Sequence, residues 1–202
     1  MDSPKLLQFD AVRDHSDHWY ADSKQSSGIS NMQSEVRKKI MLEWKILEEN
    51  LPESIYVRVY EKRIDLLRAM IIGTPHTPYH DGLFFFDIAF PSDYPNQPPL
   101  VRYRSYGLCI NPNLYSDGYV CLSLLNTWKG KSNERWNPSS STILQVLVSL
   151  QAIVLNDRPY YNEPGIKPAI SWGAYNREVY GLNCKTMLHL LRKPPRNFED
   201  MI

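Results

Sequence analysis

The stretch from Gly82 to Phe90, GLFFFDIAF, constrains the fold of this chain more than any other. Its aromatic and branched side chains suit a pleated surface, and Asp81-Gly82 ahead of it is a turn dipeptide, so it reads as a strand. Three more runs share that character: Ile55 to Tyr60, Leu67 to Gly73, and Leu100 to Tyr103. Short connections separate them, among them His76 to Gly82 and the proline-rich Tyr94-Pro95-Asn96-Gln97-Pro98-Pro99. Consecutive strands joined this closely predict a four-stranded antiparallel meander.

Helical spacing flanks the strands. Val36, Ile40, Trp44 and Leu47 recur three and four apart, which predicts a helix over 32–49, capped by Ser34 and closed by Leu51-Pro52. Thr142 to Asn156 carries Ile143, Leu144, Leu147, Leu150, Ile153 and Val154 and forms a central helix. A helical pair then starts at Lys167 or Pro168, breaks near Gly181, reaches Leu191 and is stopped by Pro194-Pro195. Cys184 falls among Leu182, Met187, Leu188 and Leu191 and is expected in the core. This order gives an α+β fold with helices segregated from the sheet. Residues 1–31 read as a flexible lead-in in which Phe9, Trp19 and Tyr20 can dock, 32–193 as the folded domain, and 194–202 as a C-terminal tail.

Composition narrows the function. Lys+Arg number 23 against Asp+Glu 22, so the basic excess of a nucleic-acid binder is missing. No run approaches the ~18 apolar residues of a membrane span, and charges sit where a signal peptide needs an apolar stretch. The expectation is a soluble protein of the cell interior. Three cysteines, Cys109, Cys121 and Cys184, make an odd set without regular spacing, which argues against a disulfide scaffold or a zinc site. His76 and His80 are turn residues and too few for a metal centre. Neither a metal nor a cofactor is expected.

The open question is whether one thiol works. Residues 105–141 are long and irregular, and such loops inside compact domains tend to be functional. Cys121 sits there. A reachable thiolate is a good nucleophile, and sulfur leaves readily when an amine attacks its thioester. Asn113, eight positions earlier, carries an amide able to donate to the oxyanion of such an attack. On spacing alone, however, the pair reads sooner as packing and turn chemistry.

Its neighbours change that weight. Gly73 is followed by Pro78-Tyr79-His80-Asp81-Gly82 and the strand GLFFFDIAFP, then Tyr94-Pro95-x-x-Pro98-Pro99. Next come Asn111-Pro112-Asn113, seven residues, Cys121, and Leu122-Ser123-Leu124-Leu125. Trp136-Asn137-Pro138-Ser139 with Thr142-Ile143 completes the series. In this order the chain resembles the ubiquitin-conjugating enzymes over roughly residues 34–192. The resemblance implies that family's fold, with a long active-site loop. It also implies an activity: Cys121 accepts ubiquitin as a thioester from an activating enzyme and passes it to a substrate lysine. Asn113 then serves as the oxyanion and loop-ordering amide, Asn162 and Glu163 gate the attacking amine, and Arg37, Lys38 and Lys39 meet the activating enzyme. ATP is spent on that partner, and this chain has no phosphate-cradling Gly-rich loop of its own.

Two departures point to one branch. Asn111 stands where the family tripeptide usually has histidine, and it is expected to hold backbone rather than take part in chemistry. Asn126 to Arg135 also lengthens the link after the cysteine. With Tyr160-Tyr161-Asn162-Glu163-Pro164-Gly165 they are similar to the large hybrid conjugating/ligase enzymes, including the plant phosphate-homeostasis type. Members of that branch often act without a separate ligase, and Asn96 replaces an apolar residue common in relatives that pair with one. The implied setting is cytoplasmic, with nuclear or membrane-surface association left to regions outside this chain. Two rivals remain: a non-catalytic ubiquitin-holding module, and a cysteine hydrolase, for which no histidine is obviously poised.

Overall fold

The structure, a computed structural model, describes residues 7–22, 33–128, 130–162 and 171–202. Its sheet has five strands in sequential order: β1 (Phe9–Val12), β2 (Ile55–Tyr60), β3 (Arg63–Ile72), β4 (Leu83–Ala89) and β5 (Leu100–Tyr103). The expected meander is β2 to β5, each antiparallel to the next. β1 is an addition at the edge, parallel to β2 with Phe9 opposite Val57. Residues 7–22 of the expected flexible lead-in are therefore folded. Gln8 anchors them, its side-chain amide donating to the carbonyls of Pro52 at 2.6 Å and Ile55 at 3.2 Å.

The inner sheet face supports α1 (Ser34–Asn50) and α2 (Ile143–Ser149). α1 buries Val36, Ile40, Glu43 and Leu47, so a carboxylate shares the apolar stripe. Glu43 is fully buried: it accepts the Tyr94 hydroxyl at 2.7 Å and the Ile143 amide at 3.0 Å. One side chain thus joins α1, the proline-rich loop and the first turn of α2, where negative charge meets the helix dipole favourably. Ser34 does not cap α1, which has no side-chain cap bond at Gln33. Thr142 does cap α2, through reciprocal bonds with Gln145. α2 passes into a π-helical turn at Leu150–Val154, and Ile153 points outward instead of joining the apolar face.

The outer sheet face is covered as well. Met70 and Phe85 pack against Leu190 of α3 (Trp172–Arg192) and Phe198, while Tyr60, Leu66 and Ala89 pack with Val12 and Tyr20. Arg68 and Asp87 face each other across β3 and β4 and are both buried, 2.6 Å apart. Asp17 extends this pair, 2.7 Å from Arg68 and 2.9 Å from Arg104. Burial alone would push the Asp17 and Asp87 carboxyls up, but the facing cations outweigh it and both stay below the usual carboxylate value. His18 is buried beside them with its Nε2 3.0 Å from the Leu67 carbonyl, and burial lowers its pKa. The 194–202 segment also packs on this face: Phe198 meets Phe85 edge-on, and Asn197 donates to the Asp14 carbonyl at 2.7 Å.

The expected C-terminal pair is one helix. α3 runs through Gly181 without a break, because a single glycine costs only about 1 kcal/mol against alanine. Its start at Lys167 or Pro168 lies outside the described residues. α3 buries Val179, Asn183, Thr186 and Leu190, which turns Cys184 outward and corrects its expected place in the core.

Candidate active site

The 105–141 segment is held in shape by hydrogen bonds rather than by regular structure. Tyr103 amide donates to the Gly118 carbonyl at 2.9 Å, and the Tyr119 amide to the Asp117 side chain at 2.8 Å. Gly118 has φ +93° and no room for a Cβ, which would fall 2.6 Å from the Tyr103 carbonyl oxygen. This tight turn returns the chain alongside Leu114, which bridges to Val120 one residue before the cysteine.

Asn113 and Cys121 are brought together. The Cys121 amide donates to the Asn113 carbonyl at 2.9 Å, and Asn113 Nδ2 donates to the Cys121 carbonyl at 3.1 Å. At rest, then, the Asn113 amide orders the cysteine's own peptide. Asn111 is fully buried and has three partners: Nδ2 donates to the Tyr79 hydroxyl and the Val154 carbonyl, each at 2.7 Å, and Oδ1 accepts the Asn113 amide at 2.8 Å. It ties the active loop to the strand connection and to the end of the central helix. Tyr79, which donates to the Ile110 carbonyl, has a hydroxyl pKa raised well above its ordinary value by burial. The close packing continues at Gly73, whose added Cβ would lie 1.8 Å from the Tyr79 carbonyl oxygen.

The expected solvent-facing thiol is not observed. Cys121 is only 4% exposed, and its Sγ donates to the Thr127 carbonyl at 3.3 Å. The cause is the extra segment after the cysteine. Leu122 enters a helical turn, Ser123–Leu125, and Asn126 adopts φ 57°, which swings Thr127 back over the sulfur. Sequence reasoning did not single out Thr127. A threonine just after a turn residue in an inserted segment was the available signal. Cys109 is exposed, with its sulfur 3.8 Å from the Asn111 carbonyl oxygen.

A cleft of about 730 Å³ opens beside this turn. Leu122, Ser123 and the inserted Ser132 to Arg135 line it together with Gln145 and Ser149 of α2. Trp136, which follows Arg135, donates to the Pro95 carbonyl at 2.7 Å, joining the Trp-Asn-Pro loop to the proline-rich loop.

The remaining candidates lie apart or in part outside view. Asn162 donates to the Val154 carbonyl at 2.9 Å and accepts from Asn156 at 2.6 Å, so it is tied to the end of the central helix. Glu163 lies outside the described residues. On α1, Arg37 and Lys38 are exposed, Lys38 pairing with Glu35 at 3.0 Å, whereas Lys39 leans toward Glu43 at 3.5 Å. Among the described residues no three His, Cys, Asp or Glu side chains converge as a metal site would need. Among the same residues no helix is long and apolar enough to cross a membrane.

Comparison with known proteins agrees with this arrangement. The family model described as ubiquitin-conjugating enzyme matches residues 37–187. The chain is 54% identical over 204 residues to a putative ubiquitin-conjugating enzyme E2 38 of Arabidopsis thaliana, covering 96% of this chain and 61% of the relative. It is 50% identical over 205 residues to the probable ubiquitin-conjugating enzyme E2 24 of the same plant, covering 98% of this chain and 23% of that protein. A third relative is the human dual E2 ubiquitin-conjugating enzyme/E3 ubiquitin-protein ligase BIRC6, 43% identical over 160 residues, 74% of this chain and 3% of that protein. The chain thus spans less than two thirds of each of these relatives. By fold, loop geometry and sequence, the chain belongs to the ubiquitin-conjugating enzyme family.

Proposed function

We propose that this chain carries the catalytic unit, residues 32–193, of a ubiquitin-conjugating transferase that loads ubiquitin on Cys121. The observation that carries the reading is the two-way hydrogen bonding of Cys121 with Asn113 at the family's motif position. In the first step the Cys121 sulfur attacks the thioester carbonyl that joins ubiquitin to the activating enzyme. A new S–C bond forms, the old one breaks, and the cysteine's proton passes to the departing thiol. In the second step a substrate lysine amine attacks the Cys121 thioester; the C–N bond forms, Cys121 leaves, and the amine's proton returns to the sulfur.

Asn113 supports the second step. Its Nδ2 has a second hydrogen, and a small rotation turns it toward the oxyanion of the tetrahedral adduct. Asn162 and Glu163 are assigned the gate for the amine on the family's motif order, Glu163 as the carboxylate that receives the proton lost on attack and relays it to the sulfur. Arg37, Lys38 and Lys39 offer the activating enzyme a basic edge of α1. Exposed Asn96 in the proline-rich loop supports transfer without a separate ligase, as does the dual naming of one relative. The cytoplasm suits three free thiols, since disulfides seldom persist there.

Incubation with activating enzyme, ATP and ubiquitin tests the proposal. A ubiquitin adduct that collapses on adding thiol reductant is expected, and Cys121→Ala removes it. No adduct, or one that survives this substitution, overturns the assignment. Full activity with lysine in the absence of any ligase tests the ligase-free reading separately.

A further inference from the structure

Thr127 contacts the cysteine turn through its backbone and its side chain together. Its Oγ1 accepts the Leu122 amide at 2.8 Å and lies 2.8 Å from the Val120 carbonyl oxygen and 3.1 Å from that of Leu122. One hydroxyl hydrogen serves one acceptor at a time, and the nearer is Val120. Its amide donates to the Leu122 carbonyl at 3.3 Å, and its own carbonyl accepts the Cys121 thiol at 3.3 Å. The residues on both sides of the cysteine, and its sulfur, are thus held by one side chain and one peptide. Asn113 holds the Cys121 amide and carbonyl from the other side.

We infer that Thr127 is a positioning residue for the thiol, with two separable duties. Its hydroxyl fixes Val120 and Leu122, which keeps the Cys121 peptide in register with Asn113. Its carbonyl covers the sulfur at rest. This inference rests on the reading of Cys121 as the acceptor thiol. The two duties part when ubiquitin arrives. The thiol donates its hydrogen to the Thr127 carbonyl, but the acylated sulfur has none to give, and two sets of lone pairs then face each other. The carbonyl contact breaks on charging while the hydroxyl bonds persist. Asn126, with φ 57°, makes the turn that brings the carbonyl to the sulfur, and Gly130 seats the segment against Ser123 so closely that a Cβ would fall 2.3 Å from its Oγ.

Thr127→Val keeps the shape and removes the hydroxyl bonds, which anchor the peptide whose carbonyl covers the sulfur. Site-resolved alkylation with iodoacetamide, read by peptide mass spectrometry, measures the covering duty, with exposed Cys109 and Cys184 as internal references. Cys121 in Thr127→Val is expected to alkylate at least fivefold faster than in the wild type relative to those references. Discharge of the preformed thioester to free lysine is expected to slow at least fivefold. Thr127→Ser, which retains the hydroxyl, restores both rates. A purely structural role would lower the melting temperature and slow charging as much as discharge, whereas here the melting temperature and charging stay near wild type.

Gly130→Ala provides a second variant should Thr127→Val not fold. Its added methyl group pries the segment from Ser123 and is expected to speed Cys121 alkylation with the Thr127 hydroxyl intact. Unchanged Cys121 alkylation in whichever variant folds, or a Thr127→Ser protein that behaves like Thr127→Val, overturns the inference. Alkylation needs no ubiquitin, so failure here is distinct from failure of the thioester reading, which would appear as a wild-type protein that does not charge.

Discussion

Asn113 and Cys121 grip each other through two hydrogen bonds that run in opposite directions, one from the cysteine amide and one from the asparagine side chain. The sheet holds this loop at Gly118 and Tyr119, and the cysteine turn beyond them needs rigidity of its own. Here side-chain amides and one hydroxyl supply it, satisfying backbone groups that would otherwise be buried without partners.

Asn113→Ala separates its two roles. Charging of Cys121 is expected to persist, because the Cys121 amide still reaches the backbone carbonyl at position 113. Discharge to free lysine should slow about 100-fold, the usual cost of one lost oxyanion donor. Single-turnover chase of the thioester measures it. Equal loss of both steps would leave only the loop-ordering role.

Glu43 predicts a large and graded stability effect. Glu43→Ala leaves the Tyr94 hydroxyl and the Ile143 amide without their buried acceptor. We expect a loss of about 3 kcal/mol in urea unfolding. Glu43→Gln, which keeps one acceptor and adds a donor for the Tyr94 hydroxyl oxygen, should cost less than half as much.

His18 makes the outer sheet face sensitive to acid. Its folded pKa lies below the ordinary 6.5, chiefly through burial, with Asp87 opposing and Arg68 reinforcing that shift. Between its folded pKa and 6.5 the unfolded chain binds more protons, so stability falls as pH drops through that window. Asp17 and Asp87, both lowered from 3.8, add a second loss in the same direction below that value. Urea midpoints at about pH 7.5 and about pH 5 should differ, and His18→Gln should flatten that first slope. A variant as pH-dependent as the wild type would remove His18 as the cause.

Phe198 tests how far the C-terminal segment belongs to the core. It is 1% exposed, meets Phe85 at 5.1 Å between ring centroids, and has the Arg58 guanidinium 4.8 Å from its ring. Phe198→Ala should cost roughly 3–5 kcal/mol, as for other buried phenylalanines. A thermal melt within a degree or so of wild type would mean the segment packs without contributing.

Much of this was legible in the sequence, and the omissions share a cause. The runs at Ile55, Leu67 and Leu83 declared β2, β3 and β4 because their side chains alone demand burial. β1 did not declare itself: Phe9–Val12 is four residues with an exposed Ala11, ordered only by β2 far along the chain. Asn111, Asn113 and Cys121 were found by motif. The cover over Cys121 was not, since the path of the inserted segment is set by Thr127 meeting peptides that are its neighbours only after the turn has formed. Gly181 misled for the opposite reason, because local propensity there is overruled by the contacts of α3 on either side.

The Val154 carbonyl accepts both Asn111 and Asn162, so both of its lone pairs are spoken for. Its direction is fixed by the π-helical turn in which it ends. Adding or removing one residue in that turn would swing the carbonyl by about 100° and release both asparagines together. Leu150–Val154 therefore acts as a spacer of fixed count beside this site.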